Sequence, residues 1–338
     1  MKLTFNFTNK RLLKRILAVS LPVFVVGASI TTYLVKTNNN NGELVNNNIT
    51  ISNGVKRQIY LATNDNLLTP VTVTIEKKEQ ILDEIKDVIN LLKEDSSFTH
   101  KDFKGVLSKD CELINATLDA DNLTLNFNQN FKNYDAKLES RVIESLVWTS
   151  LQFDDVKSLK LQIEENDLTH MPLNNTPLPV SLNKTIGINS HLMVGKPNQR
   201  SVNVFYEKKI NDNSYYVPVS VKVDDLDNDY EEIVKGIDIK LPIYTSLTIP
   251  SISKKIEVLQ YNELDDNNNL NLTLSSKALY DEKTIDNKVF DYLVMNLMFN
   301  DENIETVSAT VNDEVLAVSG YDNSVVEVSS IIFNEIKA

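Results

Sequence analysis

The feature that most constrains the fold is an internal repeat, in which apolar patterns recur at a fixed distance along the 338-residue chain. A helical stripe of apolar residues over 81–92 recurs over 226–237, and the alternating apolar residues of 123–127 recur over 270–274. The offset stays between 145 and 148 residues from the first predicted helix to the last predicted strand. Such constancy across several kinds of element predicts one structural unit that occurs twice.

Each copy has the predicted order ββαββαβ, followed by an extended tail. Period-two alternation indicates the strands, and apolar residues three and four positions apart indicate two helices with one apolar stripe each. The first copy comprises strands 58–63 and 71–76, helix 81–92, strands 112–118 and 123–127, helix 136–152, strand 159–163 and tail 168–192. The second comprises strands 202–206 and 217–223, helix 226–237, strands 256–261 and 270–274, helix 284–299, strand 307–311 and tail 316–338. The predicted fold class is α+β, two tandem repeats of this unit, with the helices on one face of a mainly antiparallel sheet.

The segment 16–35 carries no charge and predicts one N-terminal transmembrane helix. Twenty residues at helical rise span about 30 Å, the thickness of a bilayer core. Four basic residues precede this segment: Lys10, Arg11, Lys14 and Arg15. Positive charge marks the cytoplasmic side, so the remainder of the chain is expected outside the cytoplasm. A cleavable signal peptide, with its apolar region at 16–26 and small residues at 27–29, is the alternative.

These patterns divide the chain into five parts. They are a basic cytoplasmic tail at 1–15, a transmembrane helix at 16–35, an Asn-rich linker at 36–54, a first domain at 55–192 and a second domain at 193–338. The linker has no helical period and few apolar residues, so it is expected to act as a flexible tether.

Charge is distributed unevenly along the chain. Six basic and no acidic residues lie in the first 36 positions, so the remainder holds 47 acidic against 28 basic residues, a balance of −19. Such a surface repels phosphate backbones and excludes nucleic acid as an expected partner. Cys111 is the only cysteine, so no disulfide forms within the chain, and its apolar surroundings predict a small buried side chain.

Several segments of the first copy resemble the GerMN (Germane) domain of sporulation and spore-germination proteins. They are LSKDCELINATL at 107–118, the hairpin DADNLTLNF at 119–127, LVWTSLQF at 146–153, VKSLKLQI at 156–163 and LPVSLNKTIGIN at 178–189. The resemblance extends over 55–338 as two tandem copies, and the second copy lacks the TIGIN stretch of 185–189. These are fold motifs and not catalytic motifs.

This resemblance implies an extracytoplasmic protein built from tandem modules. The family's folds are similar to the ring-building domains of the sporulation channel between mother cell and forespore. Many members are lipoproteins. This chain departs from that pattern, because the apolar segment at 16–35 is not followed directly by a lipid-accepting cysteine.

No metal site is predicted. The three histidines, His100, His170 and His191, lie in different loops without ligand spacing. The acidic run at 224–229 fails as a calcium loop, because Tyr230 stands where such a loop needs glycine. The run instead predicts an N-terminal cap, with acidic residues favouring the start of a helix.

No residue is nominated as catalytic, cofactor-binding or metal-binding, and the chain is not expected to be an enzyme or to need a cofactor. A nucleophile elbow and a phosphate-binding glycine loop are both absent from the sequence. A hydrolase acting on peptidoglycan needs two carboxylates in a cleft, and the sequence singles out no pair. Trp148 lies on an apolar helix and is predicted to be a core residue and not a sugar platform.

The predicted function is a membrane-anchored extracytoplasmic assembly or binding protein of the sporulation or spore-germination type, acting through protein–protein contacts. The expected location is the cell membrane, single-pass, with the N-terminus in the cytoplasm. Expected partners are the membrane, other envelope or ring-forming proteins, a second copy of the chain, or peptidoglycan. The alternative is a general cell-envelope module unrelated to sporulation, which recognises peptidoglycan or a surface protein through aromatic residues such as Tyr206, Tyr215 and Tyr216, although strand alternation is expected to bury some of these three.

Overall fold

The structure of the protein is a computed structural model that describes residues 54–97, 102–190, 198–226, 228–241 and 243–336. Residues 48–338 group into one compact unit that contains both copies of the repeat. No described helix has the length and apolar content that a membrane crossing needs. The predicted transmembrane helix at 16–35 lies outside the described residues.

The first copy follows the predicted order ββαββαβ. Its elements are β1 (Gly54–Ala62), β2 (Leu68–Glu76), α1 (Ile81–Asn90), β3 (Leu113–Asp119), β4 (Asn122–Phe127), α2 (Glu139–Ser150), β5 (Ser158–Ile163) and β6 (Asn166–Asp167). The second helix begins three residues later than predicted, because Ala136–Leu138 form a 3-10 turn. A further 3-10 turn, Lys184–Ile186, lies in the tail.

The second copy repeats this order and adds short strands in its tail. Its elements are β7 (Gln199–Ile210), β8 (Asn213–Asp224), α3 (Asp229–Ile237), β9 (Val258–Tyr261), β10 (Asn269–Leu274), β11 (Thr284–Ile285), α4 (Asn287–Asn300), β12 (Thr306–Val311), β13 (Glu314–Val315), β14 (Ala317–Val318) and β15 (Val325–Glu327). The prediction of a helix from residue 284 was wrong, because residues 284–285 pair with β14. Asp286 then caps the helix through its side chain.

The fold is mixed α+β with mostly antiparallel pairing, but the prediction of one sheet per copy was wrong. In the first copy β1 and β2 form a separate antiparallel hairpin, while the other strands form a sheet in the order β3-β4-β5-β6. In the second copy β7 and β8 form the hairpin, and β12 joins β10 to β13 and β15. The central pairs β4–β5 and β10–β12 are parallel, because a helix crosses over between the two strands of each pair.

Each hairpin is separate from its sheet because helix side chains occupy its outer edge. In the first copy, Ser145 Oγ donates to the Tyr60 carbonyl at 2.6 Å, and Thr149 Oγ1 accepts from the Tyr60 N–H at 3.2 Å. Gln152 pairs with the N–H and carbonyl of Gln58 at 2.8 and 2.7 Å. Two side chains of α2 and that of Gln152, two residues beyond it, thus replace the neighbouring strand that β1 would otherwise need.

In the second copy, side chains of α4 bind the backbone at the edge of the β7–β8 hairpin in the same way, but the residues differ. The Phe205 N–H donates to Asn296 Oδ1 at 2.9 Å, and the Tyr292 hydroxyl donates to the Phe205 carbonyl at 2.5 Å. Asn300 pairs with the N–H and carbonyl of Asn203 at 2.8 and 2.7 Å. These α4 residues follow their α2 counterparts by 147 or 148 positions, so the duplication extends to side-chain contacts.

Candidate functional site

The two copies meet along a surface, here called the seam, that includes strands β2 and β8 and the tails of both copies. Each hairpin places one side chain in the core of the other copy. Leu67 packs among the buried residues of the second copy, and Tyr215, which follows it by 148 positions, packs among those of the first. Both are less than a tenth exposed. This reciprocal exchange makes the two cores depend on each other.

Two asparagines, one from each tail, form hydrogen bonds across the seam. Asn189 exchanges hydrogen bonds with the N–H and carbonyl of Leu68, both at 2.7 Å, and donates to the Pro218 carbonyl at 2.8 Å. Its amide oxygen and both its amide hydrogens are therefore satisfied. Its backbone is left-handed, with φ 48°.

Asn334 makes the corresponding contacts from the tail of the second copy. It pairs with the N–H and carbonyl of Tyr216 at 2.8 and 2.7 Å and donates to the Pro70 carbonyl at 2.8 Å. It also has a left-handed backbone, with φ 52°. The second copy lacks the TIGIN sequence, but residues 331–334 supply its structural counterpart.

Aromatic and charged residues extend the seam. Trp148 stacks on Phe299 with ring centroids 4.5 Å apart and donates its indole N–H to the Gly187 carbonyl at 2.9 Å. Glu302 of the second copy accepts from Lys157 and Lys184 at 3.1 and 3.3 Å. Trp148 is 2% exposed, which confirms the prediction of a core residue.

The second copy also contains an open cavity of about 610 Å³. It lies between the β7–β8 hairpin, the 3-10 turn Ser251–Lys255, helix α4 and residues 331–334. Tyr216 and Tyr292 line it with ring centroids 5.5 Å apart. This cavity is here called the α4 cavity.

Carboxylates and lysines surround the tyrosines of the α4 cavity. Lys255 is paired with Asp286 at 2.9 Å. Asp291 accepts from the Tyr321 hydroxyl at 2.7 Å, and burial raises the pKa of Asp291 above its usual range. Burial, with the nearby charges of Glu207 and Asp291, raises the pKa of Tyr216. The Tyr216 phenol thus lies close to two carboxylates.

The structure gives no catalytic or metal-binding arrangement for the sequence candidates it describes. Cys111 is buried, and burial raises the pKa of its thiol to about 12, so it is an unreactive core residue at neutral pH. His170 is exposed and lies beside Thr169, while His100 and His191 lie outside the described residues. Within the described ranges, no group of three or more potential ligands converges on a metal position.

The acidic run at 224–229 forms a helix cap, as predicted. The Asn228 side chain accepts from the N–H groups of Tyr230 and Glu231, and α3 begins at Asp229, three residues later than predicted. Of the three tyrosines named for the alternative function, Tyr206 and Tyr215 are buried, in agreement with the expectation that strand alternation buries some of them. Tyr216 is partly exposed and lines the α4 cavity. Sequence reasoning missed this cavity, since its walls come from four separated segments.

The fold and the seam define a duplicated α+β protein whose two copies share one compact body. The profile of the Germane family, described as "Sporulation and spore germination", matches residues 58–169. The chain is 26% identical over 276 residues to the spore germination protein GerM of Bacillus subtilis (strain 168), covering 77% of this chain and 72% of that protein.

A solved structure shows the same fold. It contains the tandem GerMN domains of the sporulation protein GerM from Bacillus subtilis and matches with a TM-score of 0.69 at 23% identity, covering 81% of this chain and 96% of that one. The resemblance to the GerMN family, in two tandem copies, is therefore confirmed. The chain is thus similar in sequence to sporulation and spore-germination proteins.

Proposed function

We propose that this protein is anchored in the cell membrane by residues 16–35 and acts outside the cytoplasm through protein–protein contacts of its tandem domains, placed at 55–192 and 193–338. The observation that carries the proposal is the seam, which joins two GerMN-type units into one body with a fixed arrangement of surfaces. A fixed arrangement suits a protein that positions partners in an envelope assembly. The proposal includes no catalytic step and no cofactor.

Two exposed strand edges support contact with other proteins. Strand β3 lies at one end of the strand order in the first copy and pairs with β4. Strand β9 lies at the corresponding end in the second copy and pairs with β10. Ile114 on β3 is 51% exposed, and Leu259, at the equivalent position of β9, is 62% exposed. An open edge with an exposed apolar residue suits addition of a strand from a partner.

The first test combines deletion with imaging in the native host during spore formation. A C-terminal fusion to a fluorophore that matures outside the cytoplasm is expected to concentrate at the membrane around the developing spore, and deletion is expected to impair sporulation or germination. A uniform peripheral signal in growing cells, with normal sporulation of the deletion strain, would contradict the proposal.

A second test addresses the strand edges. The double variant Ile114→Lys/Leu259→Lys is expected to accumulate normally but to fail to restore sporulation in the deletion strain. Val180→Lys is the control, because Val180 is 98% exposed and lies outside the named strands. Full complementation by the edge variant would show that neither edge is used.

A further inference from the structure

The α4 cavity differs from the equivalent place in the first copy, and the difference points to a ligand. On α2, Arg141 binds both carboxylate oxygens of Glu144 at 2.6 Å. Tyr244 of the second copy donates its hydroxyl to the Asn189 carbonyl beside this pair at 2.7 Å. In the first copy, the buried carboxylate of Glu144 is therefore paired with Arg141 of the same helix.

The second copy has the same pair of charges without the ion pair. Lys288 and Asp291 follow Arg141 and Glu144 by 147 positions on the equivalent helix. Among the described residues, no cationic nitrogen lies within 4.0 Å of the Asp291 carboxylate, and the same holds for Glu207 on the facing strand. Lys288 is exposed at the rim of the cavity.

The aromatic residues of the cavity are also particular to the second copy. Tyr216 and Tyr292 stand where the first copy has Leu68 and Ser145. Glu207 stands where it has Ala62. Around a space of about 610 Å³ the second copy therefore has the partly exposed ring of Tyr216 and the carboxylate of Glu207, while Tyr292, only 1% exposed, lies beneath Tyr216. Aromatic faces beside carboxylates favour an organic cation, through cation–π attraction and charge pairing.

The charge count agrees with a cationic ligand. The lining holds three carboxylates, on Glu207, Asp286 and Asp291, and two lysines, of which Lys255 is neutralised by Asp286. Two carboxylates then face one exposed lysine. Beyond residue 36 the chain has a balance of −19, so its long-range field attracts basic partners.

We propose that the α4 cavity binds the lysine or arginine side chain of a basic segment in a partner protein, beside the partly exposed ring of Tyr216 and the carboxylates of Glu207 and Asp291. This names the partner chemistry of the proposed function and rests on it. Binding is measured on the purified chain, whereas sporulation is measured in the host. A chain that binds no cation but supports sporulation would overturn this inference alone, and cation binding without a sporulation phenotype would overturn only the proposed function.

The first experiment uses the methionine that lines the cavity. The full chain, labelled with ¹³C at its methionine methyl groups and held in a mild detergent, is titrated with Nα-acetyl-lysine methylamide. The Met295 methyl signal is expected to shift and saturate, whereas that of Met171, buried in the first copy, is expected to stay in place. The Nε-acetylated probe, which lacks the charge, is expected to cause no shift. An unmoved Met295 signal, or an equal response to both probes, would overturn the inference.

The second experiment distinguishes binding in the α4 cavity from general attraction to the acidic surface. Glu207→Gln/Asp291→Asn is expected to raise the Kd for a fluorescein-labelled tetralysine peptide at least tenfold. The matched control, Glu263→Gln/Asp266→Asn, removes the same charge from exposed positions and is expected to change the Kd less than twofold. Equal weakening by both double variants would show diffuse attraction to an acidic surface and would contradict a site. A circular dichroism spectrum and a urea midpoint equal to those of the wild type verify that the cavity variant is folded.

Discussion

At the scale of single residues, the turns of the two hairpins show how local chemistry differs between equivalent positions. The turn between β9 and β10 places Asn268 in the left-handed region, with φ 57°. The turn between β3 and β4 places Ala120 there, with φ 53°, although aspartates, Asp119 and Asp121, lie on either side of it. Asparagine tolerates a left-handed backbone because its side chain forms local hydrogen bonds, whereas the alanine side chain forms none to offset the steric cost.

Ala120→Gly is expected to increase the free energy of unfolding by about 0.5–1 kcal/mol, because glycine adopts a left-handed backbone without steric cost. Urea denaturation followed by circular dichroism measures the change. Ala317→Gly is the matched control, since Ala317 is exposed on a strand with an ordinary backbone, and there glycine is expected to destabilise by a similar amount. A loss of stability in Ala120→Gly would show that the turn is not strained.

Glu139 is the most heavily bonded carboxylate among the described residues. It is 2% exposed and accepts from the Tyr134 hydroxyl at 2.6 Å, from Thr176 Oγ1 at 2.5 Å and from the Asn174 N–H at 2.8 Å. Burial by itself would raise its pKa, but these hydrogen bonds outweigh burial and lower the pKa to about 2 from 4.5. The carboxylate thus holds the loop at 173–176 against the start of α2.

Glu139→Gln is expected to lower the free energy of unfolding at pH 7 by about 2–3 kcal/mol, since charged hydrogen bonds are lost and the new amide group faces donors. The carboxylate stabilises the fold above the unfolded pKa of about 4.5, and this contribution declines as the pH falls toward the folded value of about 2. The gap between wild type and variant, measured by urea midpoints from pH 7 to pH 3, should therefore narrow below pH 4.5. Glu263→Gln, at an exposed position, serves as control, and a gap that does not depend on pH would contradict the assignment.

At the scale of elements, helices α2 and α4 each have two structural roles. One face packs into a core, and another closes the edge of a hairpin with polar side chains. Ser145 and Thr149 are both fully buried, so their hydroxyl groups take the place of solvent for the Tyr60 backbone. An edge left unpaired inside the protein would carry the full cost of desolvation.

Ser145→Ala is expected to lower the free energy of unfolding by about 1–3 kcal/mol, because the buried Tyr60 carbonyl loses its donor. Ser150→Ala is the matched control in the same helix. The Ser150 hydroxyl is equally buried but has no hydrogen-bond partner, so its removal is expected to be neutral or slightly stabilising. Thermal and urea unfolding compare the two. An equal effect of both variants would show that the hydroxyl bond at the strand edge contributes nothing.

At the scale of the whole molecule, the seam determines how the two copies act together. Leu67 and Tyr215 exchange between cores, and Asn189 and Asn334 each bridge both hairpins. Since the leucine–tyrosine exchange and the asparagine contacts are both reciprocal, weakening one copy is expected to weaken the other. The chain should therefore unfold cooperatively across the seam.

Asn189→Ala/Asn334→Ala is expected to lower the unfolding midpoint and to separate the transitions of the two copies in calorimetry. The double variant should lose about 2–4 kcal/mol in total, because backbone groups of both hairpins lose their partners. Asn312→Ala is the matched control, since Asn312 has a similar left-handed backbone, with φ 52°, but is exposed and away from the seam. One unchanged transition in the double variant would show that the asparagines do not couple the copies.

The amino-acid sequence by itself determined the duplication, the order of elements, the buried Trp148 and Cys111, and the cap at Asn228. These follow from periodicity and local propensity, which act over a few neighbouring residues. Only the tertiary structure decided that the hairpins leave the main sheets, because Ser145 and Asn296 reach the β1 and β7 edges from far along the chain. It also decided the parallel pairs, the seam and the α4 cavity. Contacts such as Asn334 with Pro70 join residues 264 positions apart, and no local pattern encodes that proximity.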